Sequence, residues 1–142
     1  MEFKELTFGL ADYQSSLLLR DQLLRRPLGK VLSESDTFED VEQRHFGLFI
    51  RDQLQACVVI KPLTHSLVKL RQMAVAENYQ GKGLGQQLMS QTQAALKKDG
   101  IKNIELSARK SAQVFYEKLG YETKNQAYLE HGILHIKMTQ AI

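Results

Sequence analysis

An α/β sandwich built on one mixed sheet is the architecture this chain predicts, and three observations predict it. Helical periodicity occurs in separated stretches, and runs rich in β-branched and aromatic residues lie between them. The resulting order is β-α, three strands, α-β, α-β-β. No linker, repeat or low-complexity segment interrupts the 142 residues. They read as one domain, 1–142, long enough to bury a core of its own.

Residues 2–9, EFKELTFG, alternate loosely and predict a first strand. From Asp12 to Arg25, DYQSSLLLRDQLLR brings Tyr13, Leu17, Leu18 and Leu24 to one side of a helix, with Asp12 as its cap. Pro27 and Gly29 end it. Residues 30–44 are polar and acidic, a long loop or short helix of the kind that lines sites. HFGLFI (45–50) and LQACVVIKPL (54–63) predict an antiparallel hairpin, and SLVKLRQMAV (66–75) a further strand.

A glycine-rich loop then leads into a helix running to about Lys98, with Leu84, Leu88, Ala95 and Leu96 on one face. Gly100 is its C-cap, and Lys97 and Lys98 suit the negative end of the helix dipole. KNIELSA (102–108) is the next strand and KSAQVFYEKLG (110–120) a short helix closed by Gly120. ETKNQAYLE and ILHIKMT form a closing antiparallel pair around His131-Gly132.

Composition excludes several classes. With 43% hydrophobic and 25% charged residues the chain is not disordered or fibrous. The single cysteine, Cys57, rules out an internal disulfide and a multi-cysteine metal site. Within QACVVI it reads as a small buried residue, suited to a reducing compartment. The N-terminus lacks a signal-peptide pattern, and no run approaches the roughly 18 apolar residues of a membrane span. A soluble cytoplasmic protein is expected. The net charge of +3 is spread over pairs (Arg25-Arg26, Lys97-Lys98, Arg109-Lys110) and not along a stripe, so nucleic acid is not an expected partner.

The loop NYQGKGLGQQLM (78–89) holds three glycines in five positions where a helix begins. It is not a Walker A loop, because Ala76 and Gly83 stand where glycine and serine or threonine are needed. Nor is it a dinucleotide fingerprint, because Gly81, Gly83 and Gly85 are spaced G-x-G-x-G. The general reading remains: a strand, a turn, and a helix start whose free amides face a pyrophosphate. Glycines keep Cβ atoms away from the phosphate oxygens, and Lys82 adds a charge. The competing reading is a turn with close helix–sheet packing.

The segment VAENYQGKGLGQQLM resembles the acyl-CoA-binding segment of the GNAT superfamily of N-acetyltransferases, with Gln80, Gly83 and Gly85 at the defining positions of Q/R-x-x-G-x-G/A. A second segment, SARKSAQVFYEKLGYE (107–122), resembles the family's next motif through Ala112, Phe115, Tyr116, Gly120 and Tyr121. The two cover roughly residues 45–138; the N-terminal third shares no motif. The ending EHGILHIKM and the early LLLRDQLLRRPLG are similar to a small bacterial branch of that superfamily. The resemblance implies a GNAT-type three-layer sandwich whose mixed, mostly antiparallel central sheet is splayed at an acetyl-CoA site.

It also implies an acetyl-CoA-dependent N-acetyltransferase, with acetyl-CoA as cosubstrate and no metal. Gln80, Gly81, Lys82, Gly83, Leu84, Gly85 and Gln86 would hold the pyrophosphate. The backbone of Met73, Ala74 and Val75 would pair with the pantetheine arm and supply an oxyanion donor. Arg109 would reach phosphate or pantetheine, where many relatives carry asparagine. Tyr116 would be the acid that protonates the leaving thiolate.

The base is not legible, since KLRQMAV carries no carboxylate where many relatives have glutamate. Glu105, His45, His65, His131 and His135 are the candidates, with His135 leading. Arg20 and Arg26 are candidates for an acidic group on the acceptor, and an exposed helix face explains them equally. The expected acceptor is the primary amine of a small molecule, attacked directly in a ternary complex. A protein lysine or N-terminus, or a non-catalytic acyl-CoA-binding module, are the alternatives. Homodimers are common among relatives, although no interface signature is legible here.

Overall fold

Ala56, Cys57, Val58, Val59 and Ile60 are all buried, which a strand achieves only when both faces of its sheet are covered. The structure, a computed structural model describing residues 1–142, places them in β3 (Gln53–Pro62). The other strands are β1 (Glu2–Leu6), β2 (Arg44–Ile50), β4 (Leu67–Val75), β5 (Asn103–Arg109), β6 (Glu122–Glu130) and β7 (Ile133–Ala141). They form one sheet in the order β1-β2-β3-β4-β5-β7-β6. Every neighbouring pair is antiparallel except β4 and β5.

The helices are α1 (Ala11–Arg20), α2 (Glu34–Thr37), α3 (Leu84–Lys98) and α4 (Gln113–Lys118). Alternation along β3 sorts them into layers. Ala56, Val58 and Ile60 join Leu88, Met89 and Leu96 of α3, Tyr116 of α4 and Met138 of β7 in the larger core. Cys57 turns the other way, to Leu19 of α1 and Ala74 of β4. The result is the three-layer α/β sandwich expected, with α1 on one face and α3 and α4 on the other. Burial pushes the Cys57 thiol up to about 12, so it serves as packing and not as a nucleophile. No helix is long and apolar enough to cross a membrane.

The N-terminal expectations need correction. The first strand ends at Leu6, and α1 starts one residue before Asp12, behind an N-cap Leu10 that offers no side-chain hydrogen bond. Its buried face is Tyr13, Ser16, Leu19 and Arg20, whereas Leu18 is 68% exposed. Beyond Arg20 the helix widens into a π-turn over Asp21–Arg25 and tightens into a 3₁₀ turn over Arg26–Leu28. Pro27 sits in that last turn and Gly29 closes it, as expected. The acidic stretch contains α2 and a 3₁₀ turn at Asp40–Glu42.

Arg20 is wholly buried and donates from Nη1 to Asp40 Oδ2 at 2.8 Å. Tyr13 adds its hydroxyl to the same oxygen at 2.7 Å. The Nε of Arg20 donates to Gln72 Oε1 at 2.6 Å. Gln72 has φ +47° and lies where Arg71 pairs with Val59 but Ala74 with Cys57. One extra residue is therefore accommodated on β4, a bulge.

Two strands separate at the bulge. β4 and β5 pair only from Leu67/Asn103 to Leu70/Leu106, although β4 runs on to Val75 and β5 to Arg109. A bulged strand bends, and beyond Leu70 the two strands part. Met73–Val75 keep β3 on one side and have no strand on the other.

Candidate active site

Where the strands part, a cleft of about 1080 Å³ opens. Its walls come from both faces of the sheet. On the α3 side they are Tyr79–Gly81, Gly83–Gln86, Phe115 and Tyr116; on the α1 side they include Leu24, Arg25, Asp36, Arg109, His131 and His135. The gap therefore runs through the sheet, with a different chemistry at each mouth.

The α3 mouth is made of backbone. Gly83 is the N-cap of α3 and has φ +82°, and Gly81 before it has φ +74°. That region is open to glycine at little cost, and a Cβ at either would meet nothing within 4 Å. The first hydrogen bond into the helix is from Gln87 N–H to Gly83 O. The amides of residues 81–86 donate to no acceptor in the chain. Together with the helix dipole they form an anion-binding nest.

The third glycine has a different cause. At Gly85 a Cβ would lie 3.3 Å from Phe115 Cζ and 3.5 Å from Val75 Cγ2, so Gly85 lets α4 and β4 approach α3. The packing reading of the glycine cluster thus holds at Gly85, while Gly81 and Gly83 leave open space at the helix start. Gln80 donates from Nε2 to Val75 O at 2.9 Å and fastens the loop to the end of β4. Lys82 lies outside the lining, over the Tyr79 ring at 5.9 Å.

Tyr116 borders the cleft from the α3 side. It is 7% exposed and packs edge-on against Phe115 and Tyr121. No hydrogen bond within the chain engages its hydroxyl. Burial, and secondarily Tyr121, push the phenol well above its ordinary 10.0. It is therefore protonated at neutral pH and able to donate.

The α1 mouth is polar and made of side chains. Leu106, Ala108, Ile136 and Met138 belong to the core beneath α3, so Ser107, Arg109, His135 and Lys137 point to the opposite face. His135 Nδ1 donates to Ile133 O at 2.8 Å, which leaves its Nε2 3.5 Å from Glu130 Oε2. Arg25 makes a two-point contact with Asp36, at 3.2 and 3.0 Å, and lies 3.3 Å from His131 Nε2. Burial and then Arg25 lower both the Arg109 and the His131 pKa.

Burial raises the Asp36 pKa, but Arg25 and the Ser33 amide outweigh it and hold the carboxyl at about 2, below its ordinary 3.8. A depressed carboxyl stabilises the fold above its unfolded pKa and loses that contribution as pH falls through the folded one. Asp36→Asn is expected to flatten the loss of stability between pH 4 and 2. Urea midpoints of both proteins across that window measure it.

Of the acceptor-side candidates, His135 and His131 reach the cleft. Arg20 does not, because its guanidinium is committed to Asp40 and Gln72 inside the protein. Arg26 is paired with Asp21 at the surface. His45 is buried, with Nε2 2.9 Å from Asp40 O; His65 is exposed in a turn. Glu105 faces Lys137 at 3.6 Å, outside the cleft. Sequence reasoning missed Arg25, Asp36, Gln72 and Glu130. Only Glu130 had a signal: the turn at His131-Gly132 sets the register that brings it beside His135.

Comparison with known proteins agrees with this geometry. The acetyltransferase (GNAT) domain family matches residues 19–142. The Bacillus subtilis protein YyaT is 28% identical over 116 residues, 78% of each chain. Among solved structures, Escherichia coli ElaA is 25% identical and superposes with a TM-score of 0.86 over 99% of both chains. A GNAT family acetyltransferase from Elizabethkingia anophelis with acetyl-CoA bound is 19% identical, with a TM-score of 0.76 over 99% of this chain and 97% of that one.

Proposed function

The chain belongs to the GNAT acetyltransferase family, and from that membership we propose that it transfers an acetyl group from acetyl-CoA to the primary amine of a small molecule, by direct attack in a ternary complex. The observation that carries this reading is the run of unpartnered amides at residues 81–86, set at one mouth of the gap between β4 and β5. Those amides suit a pyrophosphate, and the open backbone edge at Met73–Val75 suits a pantetheine arm lying as an added strand. The cleft's other wall is lined by α2 and the β6–β7 turn, which favours a compact acceptor.

The chemistry follows from the groups along the gap. The N–H of Met73 donates to the thioester oxygen as it gains charge, since that of Ala74 faces Cys57 on β3. The amine nitrogen bonds to the carbonyl carbon and the carbon–sulfur bond breaks. Tyr116 gives its proton to the departing sulfur and regains one released by the nitrogen. A lysine-like ammonium, with a pKa of about 10.4, must first lose a proton. Nε2 of His135 is the acceptor for it, since Nδ1 is occupied by Ile133 O and Glu130 faces the resulting imidazolium.

Calorimetric titration of acetyl-CoA into wild type and Gln86→Glu tests the cofactor half. Gln86 is exposed in the first turn of α3, where a carboxylate favours the helix by about 0.3–1 kcal/mol. The variant is expected to unfold no earlier than wild type while binding acetyl-CoA at least about tenfold more weakly. Failure of folded wild type to bind acetyl-CoA overturns the reading.

A further inference from the structure

Arg109 stands apart from the other two arginines in the cleft. Arg25, its neighbour, is neutralised by Asp36, and Arg71 donates to Gln43 Oε1 at 2.6 Å. Arg109 makes a single hydrogen bond within the chain, from Nη2 to Leu24 O at 3.3 Å, and no carboxylate lies within ion-pair distance of it. A half-buried guanidinium with most of its donors unused is a receptor for a planar anion. It also lies on the α1 face, across the sheet from the amide nest, so the pyrophosphate bound there is not the anion it meets.

Its position relative to His135 fixes what that anion belongs to. Arg109 and His135 are direct cross-strand partners on β5 and β7, and side chains of such a pair start about 4.5–5.5 Å apart on one face. Glu130, 3.5 Å from His135 Nε2, adds the negative charge that an ammonium needs. A cation receptor and an anion receptor thus stand side by side at the acceptor mouth.

We propose that the acceptor is a free α-amino acid, its ammonium held between Glu130 and His135 and its carboxylate on Arg109. The inference rests on the acetyl-transfer reading and narrows it. The amine and carboxylate of an α-amino acid are attached to the same carbon, which suits receptors on adjacent strands. A lysine side chain or N-terminus of a protein offers no carboxylate beside the reacting amine. Arg109, placed with the cofactor by family resemblance, becomes a specificity-determining residue for the acceptor. The proton on the ammonium passes to His135 Nε2, and the product is the N-acetylamino acid with free CoA thiol.

The test measures CoA thiol release at saturating acetyl-CoA from a panel of free L-amino acids, each beside its own carboxamide. Arg109→Gln is measured with wild type, and acetyl-CoA binding to both by calorimetry. Wild type is expected to favour at least one amino acid over its carboxamide by about tenfold or more in kcat/KM, the size of one charge-assisted contact. Arg109→Gln should erase that preference through KM while acetyl-CoA binding stays within about twofold.

Equal use of amino acids and carboxamides overturns the proposal. So does an Arg109→Gln variant that keeps the preference but loses acetyl-CoA affinity, which returns the residue to the cofactor. Acetyl-CoA binding without acetylation of any amino acid removes this inference and leaves the family reading standing. Wild type that binds no acetyl-CoA removes both.

Discussion

Replacing Tyr116 with phenylalanine is expected to lower kcat by about 10²–10⁴-fold, the usual contribution of a positioned general acid, with acetyl-CoA affinity unchanged. The substitution is clean because the hydroxyl engages nothing in the chain. Its ring, wedged between Phe115 and Tyr121, keeps its packing in the variant. The raised phenol pKa keeps the hydroxyl protonated at neutral pH, ready to donate to the sulfur as it leaves. Single-turnover rates with a fixed amine, together with a calorimetric titration, separate the two quantities. An unchanged kcat would mean that sulfur leaves without this proton. A parallel loss of affinity would mean that the ring had moved.

Asp40→Ala is expected to cost about 3–5 kcal/mol of folding stability, the range for breaking a buried ion pair from one side. Asp40 and Arg20 are both fully buried, so the variant leaves a guanidinium without its counter-ion. It also strands the Tyr13 hydroxyl, whose pKa burial and the Asp40 hydrogen bond push up to about 12. Urea unfolding of the single variants and of Arg20→Met/Asp40→Leu forms the measurement. The double variant removes both charges and should recover most of the loss. A single-variant loss below about 1 kcal/mol would place the pair among solvated surface bridges.

The same pair shows what the sequence could and could not reveal. A helix from Asp12 to Arg25 is legible from period alone, of which residues 11–20 are α-helical, and its leucines suggest the inward face. The true face includes Ser16 and Arg20, because a buried aspartate twenty positions later needs a cation, and that pairing is invisible until the chain folds. Glycine spacing points to the α3 mouth from local pattern, since backbone geometry at a helix start is a local matter, whereas the Phe115-Tyr116 doublet is read only through the family resemblance. The α1 mouth was only half legible. Arg25, Asp36 and Glu130 lie on three elements that meet across the cleft, and no spacing in the chain records their proximity. Gln72 is harder still: a positive φ on a glutamine inside a strand has no signature in composition.

The parting of β4 from β5 has a topological consequence. A site at the end of a blind pocket has one entrance, and whatever arrives first stands in the way of the next arrival. Here the opening passes from one side of the sheet to the other, so it is a corridor with two doors. A ligand at the amide-lined door and one at the side-chain-lined door would meet only in the middle, and each could withdraw without stepping around the other. The partition between the two is one sheet thick, and it opens next to a single additional residue in β4.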